Sequence, residues 1–195
     1  MESTLFQPKK YVLTGGPGDG KTTLIKTLKK MGYKTIPEAA TCIIKSALNK
    51  GLPNPTHGGH VSEFQEAVAK KQWKVESKIK TDEIIFLDRG IIDGLAYCEK
   101  HKVPTPPPSL IEKPRLVNYT KVFVLDFIKE EYQKDSIRVE NLKEAMIIHD
   151  LIVKHYTLLG YSPISVPPFQ ISETGEKLSK KESIAKRIEF ILKHI

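Results

Sequence analysis

Four residues near the start of the chain have the spacing of a phosphate-binding loop. In "YVLTGGPGDGKTTLIKTL", residues 11–28, Gly15, Gly20, Lys21 and Thr22 fit the pattern G-x-x-x-x-G-K-[ST] without a mismatch. Such a loop offers backbone N–H groups and a helix N-terminus to phosphate oxygens. Lys21 adds a charge on the β- and γ-phosphates, and the Thr22 hydroxyl can ligate Mg²⁺. We therefore predict that the triphosphate of a nucleotide binds here.

A second group of polar residues follows another apolar stretch. Asp88 and Arg89 come directly after "IIFL", at the end of a predicted strand. Asp88 could hold a magnesium-bound water or accept a hydrogen bond from the hydroxyl of an acceptor. Arg89 could clamp a phosphoryl or ribosyl group with two hydrogen bonds. Alternatively, Asp88 and Arg89 form an internal pair that caps the next helix.

Asp126, at the end of "VFVLD", is a rival of Asp88 for the magnesium role, although a structural role at a helix start or a surface position also fits it.

Three further residues could serve the same chemistry. Glu38, in "TIPEAA", follows the second predicted strand and opens a helix, so its carboxylate could act as a general base on an acceptor hydroxyl or simply suit the helix dipole. Gln65, near the start of a long helix, could read a base or an amide edge. Arg138 lies in the charged segment "IKEEYQKDSIRVEN", which could close over the nucleotide and bring Arg138 to the transferring phosphoryl group. A surface arginine paired with a nearby glutamate is the alternative.

The elements that must position these residues alternate between strand and helix. Short apolar stretches predict five strands, and periodic stretches predict helices over about 38–50, 62–80 and 142–159 and at the chain's end. Five prolines in "VPTPPPSLIEKPR" exclude a regular helix throughout that connector. Alternating strands and helices indicate an α/β sandwich with parallel crossovers, whose ligand lies at the carboxyl ends of the strands.

Composition narrows the classes of protein to consider. A length of 195 residues predicts one domain, and the formal charge of +8 favours anionic partners. Lysines occur as scattered pairs without an aromatic-and-basic segment, so nucleic acid is not expected as a partner. No apolar run approaches the roughly 18 residues that span a bilayer, and the first residues lack the features of a signal peptide. Two cysteines make no disulfide framework, so we expect a cytoplasmic protein.

Several motifs together resemble a known family. "GGPGDGKTTL", "PEAA", a helix containing "FQ", "FLDRGIIDGLAY" and a late "LGYSPISVP" resemble the ATPase/kinase-like P-loop domain family. That family includes the ribosylnicotinamide kinase domain of a bacterial NAD-biosynthesis regulator and an animal protein that binds GTP and lipid; nucleoside and nucleotide kinases are more distant. The resemblance spans Tyr11 to Leu192. It implies a P-loop NTPase three-layer sandwich in one domain, 1–195, with a mostly parallel five-stranded sheet and a short lid at about 128–141.

The same resemblance assigns roles to residues. It implies acceptor-side roles for Glu38, Asp88 and Arg89, and a lid role for Arg138. The nucleotide base is expected near residues 166–169, in the loop after the last strand. Nucleotide contacts are implied for the whole phosphate loop: Gly15, Gly16, Pro17, Gly18, Asp19, Gly20, Lys21, Thr22 and Thr23.

These features predict an ATP- and Mg²⁺-dependent phosphotransferase, with GTP as the other possible donor. Its acceptor would be a hydroxyl or phosphate group of a nucleoside-like small molecule. A nucleotide-binding ATPase or GTPase switch with slow hydrolysis and a protein or lipid partner is the alternative, and a kinase of nucleic-acid 5′-hydroxyls is a third hypothesis. A Ras-type GTPase is disfavoured because the guanine motif Asn/Thr-Lys-x-Asp breaks at its Asp in "TKVF", and an AAA+ motor because no second α-helical domain is evident.

Overall fold

The computed structural model of the chain describes residues 8–56, 59–79, 82–127, 141–172 and 174–195. Within them, one sheet has five strands in the order β2-β3-β1-β4-β5, and every neighbouring pair is parallel. The sheet is thus parallel throughout, where a mostly parallel sheet was predicted. The strands are β1 (Lys9–Thr14), β2 (Lys34–Ile36), β3 (Ile84–Asp88), β4 (Lys121–Leu125) and β5 (Ile164–Val166).

Helices connect the strands, and several begin or end at residues suited to that position. Asn141 and Ser179 each cap a helix N-terminus in a reciprocal pair with a glutamate three residues later. The helices are α1 (Lys21–Lys30), α2 (Ala39–Leu48), α3 (Val61–Glu76), α4 (Asp93–Lys100), α5 (Pro108–Glu112), α6 (Leu142–Leu158) and α7 (Lys180–Lys193), and a 3-10 turn, Lys113–Arg115, follows α5. The proline-rich connector therefore contains only short helical turns, as its prolines require.

The central strands are buried on both faces, which divides the core into two. Because side chains alternate along a strand, Val12 of β1 packs on one side of the sheet, while Tyr11 and Leu13 pack on the other. The first core includes side chains of α3, α4 and α6, and the second includes side chains of α1 and α7. The result is the predicted three-layer α/β arrangement.

Two sequence predictions about the chain's organisation, the lid and the single domain, stay predictions. The proposed lid lies outside the described residues except for its last residue, Asn141, which caps α6. The prediction of a single domain, 1–195, stays a prediction. Among the helices that the structure describes, none has both the length and the apolar character required to cross a membrane.

Candidate active site

A cleft of about 710 Å³ opens at the carboxyl ends of β1, β2 and β3. Parallel strands bring the residues that follow them to the same edge of the sheet, which is where ligands bind in such folds. Its wall combines the phosphate loop, the start of α2, one face of α3, the residues after β3 and part of α7. The lining includes residues 17–24 and 38–41, Phe64, Gln65, Val68, Arg89, Tyr97 and Arg187.

The phosphate loop lies between β1 and α1, the context that the motif requires. Gly15 has φ of 134°, and a Cβ atom there would lie 2.2 Å from Asp19 Oδ2 and 2.9 Å from the Leu125 carbonyl oxygen. A Cβ atom on Gly16 would lie 2.5 Å from the Ala145 carbonyl oxygen. Both glycines are therefore needed for the loop to pack this closely against β4 and α6.

Lys21 folds back onto this loop at the edge of the cleft. Its Nζ donates hydrogen bonds to Gly16 O at 2.7 Å, Asp19 Oδ1 at 2.7 Å and Gly15 O at 3.3 Å. Only 6% of the residue is exposed. Burial and the nearby charge of Arg89 lower the pKa of Lys21, and Asp19 partly opposes that change.

Thr22 and Asp88 lie together at the first turn of α1. The Thr22 hydroxyl donates a hydrogen bond to Asp88 Oδ2 at 3.1 Å. Asp88 is 3% exposed, and its other oxygen, Oδ1, has no hydrogen-bond partner among the described residues. Burial, with a contribution from the Glu38 charge, raises the pKa of Asp88 to about 6. An unpaired carboxylate oxygen beside a threonine hydroxyl suits a hydrated cation.

Asp126, the rival for that role, has different surroundings. Its Oδ2 accepts a hydrogen bond from the Ser165 hydroxyl at 2.7 Å, and its Oδ1 lies 4.0 Å from His149 Nε2. The side chain is 39% exposed. Asp88 is therefore the aspartate that contacts the phosphate-loop threonine.

Arg89 joins the phosphate loop to the opposite wall of the cleft. Its Nε donates to Glu38 Oε1 at 2.8 Å, and its Nη1 donates to Gly15 O and to Asp93 Oδ2, both at 2.9 Å. The residue adopts a left-handed backbone conformation with φ of 69°, a strained conformation of the kind found at functional sites. The Tyr97 ring centre lies 5.6 Å from the guanidinium carbon.

Glu38 is ionised in this arrangement. It accepts a second hydrogen bond, from the Thr41 hydroxyl at 2.5 Å, and 21% of its side chain is exposed. Burial raises the pKa of Glu38, but the charge of Arg89 and the Thr41 hydrogen bond outweigh burial and leave the pKa below its usual value. The carboxylate therefore carries its charge at neutral pH.

Asp93 and Arg187, two polar residues for which the sequence predicted no role, contact Arg89 and the phosphate loop. Asp93 accepts hydrogen bonds from Thr14 Oγ1 at 2.5 Å and Tyr156 OH at 2.8 Å besides the one from Arg89. The signal available in the sequence was its place shortly after Arg89, at the start of the next helix.

Arg187 is the second of these residues. Its three nitrogens donate to the carbonyl oxygens of Asp19 at 2.7 Å, Asp126 at 2.6 Å and Pro167 at 3.0 Å. Arg187 is 2% exposed. Its hydrogen bonds tie α7 to the phosphate loop and to the segment after β5. An arginine within the apolar stripe Ile184, Ile188 and Ile191 was the available signal.

The structure brings most of the predicted site residues to one cleft. Lys21, Thr22, Glu38 and Arg89 line it, and Thr22 donates a hydrogen bond to Asp88. Gln65 also lines it and is 6% exposed. Arg138 lies outside the described residues, and its lid role stays a prediction, as do the chemical roles of the others. In the described part of the chain, no three His, Cys, Asp or Glu side chains form a group that could hold a metal by themselves.

Comparisons with known proteins agree with this architecture. A family model described as an AAA domain matches residues 10–173, and the chain belongs to this family. A search of curated proteins found no match.

Solved structures share the fold at low sequence identity. A NadR protein in complex with NAD and AMP-PNP is 14% identical over 95% of this chain and 49% of its own, with a TM-score of 0.61. A deoxyadenosine kinase from M. mycoides is 14% identical over 95% and 97% (TM-score 0.61), and a thymidylate kinase from Ehrlichia chaffeensis is 14% identical over 96% and 98% (TM-score 0.62). The chain spans about half the length of the NadR chain. These likenesses confirm a P-loop kinase-like α/β fold.

Proposed function

We propose that this member of the AAA domain family is a phosphotransferase that moves the γ-phosphoryl group of ATP to a hydroxyl group of a nucleoside-like small molecule. The observation that carries the proposal is the bridge that Arg89 forms between Gly15 O of the phosphate loop and the Glu38 carboxylate. A site that only hydrolysed ATP would need a positioned water. The Glu38 carboxylate that Arg89 holds gives this site, in addition, a group that can take the proton of an acceptor hydroxyl.

The chemistry follows from the charges around the cleft. In the transfer, the acceptor oxygen forms a bond to the γ-phosphorus while the bond from phosphorus to the β–γ bridging oxygen breaks, and ADP leaves. The hydroxyl proton passes to the ionised carboxylate of Glu38, which acts as general base. Lys21 and Arg89 stabilise the charge on the transferring group. Asp93 is a positioning residue, since it holds Arg89 through Nη1.

The acceptor side of the cleft favours a ligand with an amide-like edge. Gln65 lines the cleft, and 6% of the residue is exposed. An amide both donates and accepts hydrogen bonds, so it can pair with the edge of a nucleobase. Structures of similar fold include a deoxyadenosine kinase and a thymidylate kinase, which supports a nucleoside-like acceptor, and a NadR complex with AMP-PNP, which supports a nucleoside triphosphate donor.

The residues present also fit a magnesium ion bound with the nucleotide. Thr22 and Asp88 would hold it, because the Thr22 hydroxyl lies against a carboxylate whose Oδ1 lacks a partner among the described residues. When bound, Mg²⁺ supplies positive charge to the phosphate oxygens.

An ATP-consumption screen against nucleosides, nucleoside monophosphates and sugars tests the proposal. We expect one acceptor class to stimulate ADP formation strongly in the wild type and not in Lys21→Ala. Lys26→Ala, which removes an exposed lysine of the same helix, is the matched control and should behave as wild type. Nucleotide binding without stimulation by any acceptor would contradict phosphotransfer and would favour the nucleotide switch.

A further inference from the structure

The ammonium group of Lys21 is fully engaged inside the protein. An ammonium has three N–H donors. The structure gives Lys21 Nζ three acceptors: the carbonyl oxygens of Gly15 and Gly16 and the Asp19 carboxylate. A phosphate oxygen that binds this ammonium must therefore replace at least one of these acceptors.

Asp19 is the charged member of that set, and its carboxylate is enclosed. None of its side chain is exposed. Its Oδ1 accepts from Lys21 Nζ at 2.7 Å and from the backbone N–H of Lys21 at 3.2 Å. Its Oδ2 has no partner among the described residues. A buried carboxylate is costly unless it is paired, so this ion pair is what makes the position tolerable.

The donors that hold Asp19 are those that a phosphate-binding loop offers to a nucleotide. They are the lysine ammonium and a backbone N–H at the start of the helix. Asp19 and a triphosphate are both oxyanions that compete for these donors. Arg187 contacts the same residue through its backbone, because Arg187 Nη1 donates a hydrogen bond to the Asp19 carbonyl oxygen.

We propose that Asp19 is an internal counter-ion of the phosphate loop, which holds Lys21 in the nucleotide-free protein and which an incoming triphosphate displaces from the lysine. This inference rests on the nucleotide binding of the proposed function but not on phosphoryl transfer. Asp19 lowers the affinity for nucleotide by occupying Lys21. The apparent dissociation constant exceeds the intrinsic one by the inverse of the fraction in which Lys21 is released.

Asp19→Asn tests the inference, because it keeps the shape and an acceptor oxygen but removes the charge. Calorimetry with ATP and with tripolyphosphate, each with Mg²⁺, should show binding about tenfold tighter or more than in wild type. Asp19→Ser is a second variant that removes the carboxylate without adding bulk. Glu112→Gln removes the same charge from an exposed side chain outside the cleft and should leave the affinity unchanged.

A double variant separates competition from a general effect on the fold. In a Lys21→Met background the gain from Asp19→Asn should become smaller, since the ammonium is gone and the carboxylate competes with the triphosphate only for the backbone N–H of residue 21. If Asp19→Asn and Asp19→Ser bind nucleotide as the wild type does or more weakly, the counter-ion inference is wrong while nucleotide binding stands. If neither the wild type nor these variants bind ATP or tripolyphosphate, the proposed function falls and the inference falls with it.

Discussion

Glu38 is the residue on which the proposed chemistry depends most. Replacing its carboxylate by an amide in Glu38→Gln should lower kcat by about 10²-fold or more while the ATP affinity stays within a few-fold, the pattern of a lost general base. Steady-state kinetics with the stimulating acceptor, together with calorimetry for ATP, measure both. Glu63→Gln, at an exposed carboxylate on α3, is the matched control. Full acceptor-stimulated turnover in Glu38→Gln would show that Glu38 is not the general base and serves only at the start of α2.

Asp88 gives a prediction about pH and stability. Its pKa is raised to about 6 in the folded protein by burial and by the Glu38 charge, against about 4 in an unfolded chain. The folded state therefore prefers the protonated acid, and stability is lost as the pH rises from about 4 through about 6. Asp88→Asn should unfold at a higher temperature than wild type at about pH 8 and at the same temperature near pH 4. Thermal unfolding without nucleotide measures this, and a lower Tm for the variant at about pH 8 would contradict it.

Sequence reasoning found the residues whose chemistry is carried by local patterns. Lys21 and Thr22 belong to a motif, and Asp88 and Arg89 follow an apolar strand directly, so their position at the sheet edge could be predicted. Arg187 could not be assigned in this way, because its partners are backbone carbonyls, and every residue type has a backbone carbonyl. The folding back of Lys21 onto Asp19 is likewise a matter of side-chain geometry within the loop.

At the scale of elements, α7 holds three segments in place through Arg187: the phosphate loop, the segment after β4 and the segment after β5. Arg187→Met should leave three carbonyl oxygens without this donor, so we expect a loss of roughly 3–5 kcal/mol in the free energy of unfolding and weaker ATP binding. Denaturant unfolding and calorimetry measure the two effects. Lys186→Met, at the exposed neighbouring position, should change neither. An Arg187→Met protein with wild-type stability and affinity would show that the loops hold themselves.

The elements themselves were largely predictable, and the departures have local causes. The last of the five predicted strands is confined to Ile164–Val166, since prolines at 163, 167 and 168 cannot donate to a sheet. Helix α2 begins at Ala39 because Glu38 takes the cap position with an extended backbone, ψ of 121°. The order of the strands in the sheet could not be predicted from the sequence, because β1 pairs with β3 and β4, which are distant from it along the chain.

At the scale of the whole molecule, the cleft joins both layers of helices, so a ligand should stabilise the entire fold. ATP with Mg²⁺ at about 100 times its dissociation constant should raise stability by about 2.7 kcal/mol, seen as a higher Tm. Lys21→Ala should lose most of that shift.

Mg²⁺ alone should not raise the Tm, because the described residues offer no metal-binding group of three or more side chains and Mg²⁺ prefers phosphate oxygens and water. A metal-only shift that a chelator reverses would contradict this.

The fate of the γ-phosphoryl group tests the central claim most directly. ATP labelled in that group is incubated with the protein, Mg²⁺ and the acceptor that stimulates turnover most, and the products are separated. The account predicts that most of the label appears on a hydroxyl of the acceptor, that little appears as inorganic phosphate, and that Glu38→Gln removes the labelled acceptor. Label found only as inorganic phosphate, at a rate that no acceptor changes, would contradict it.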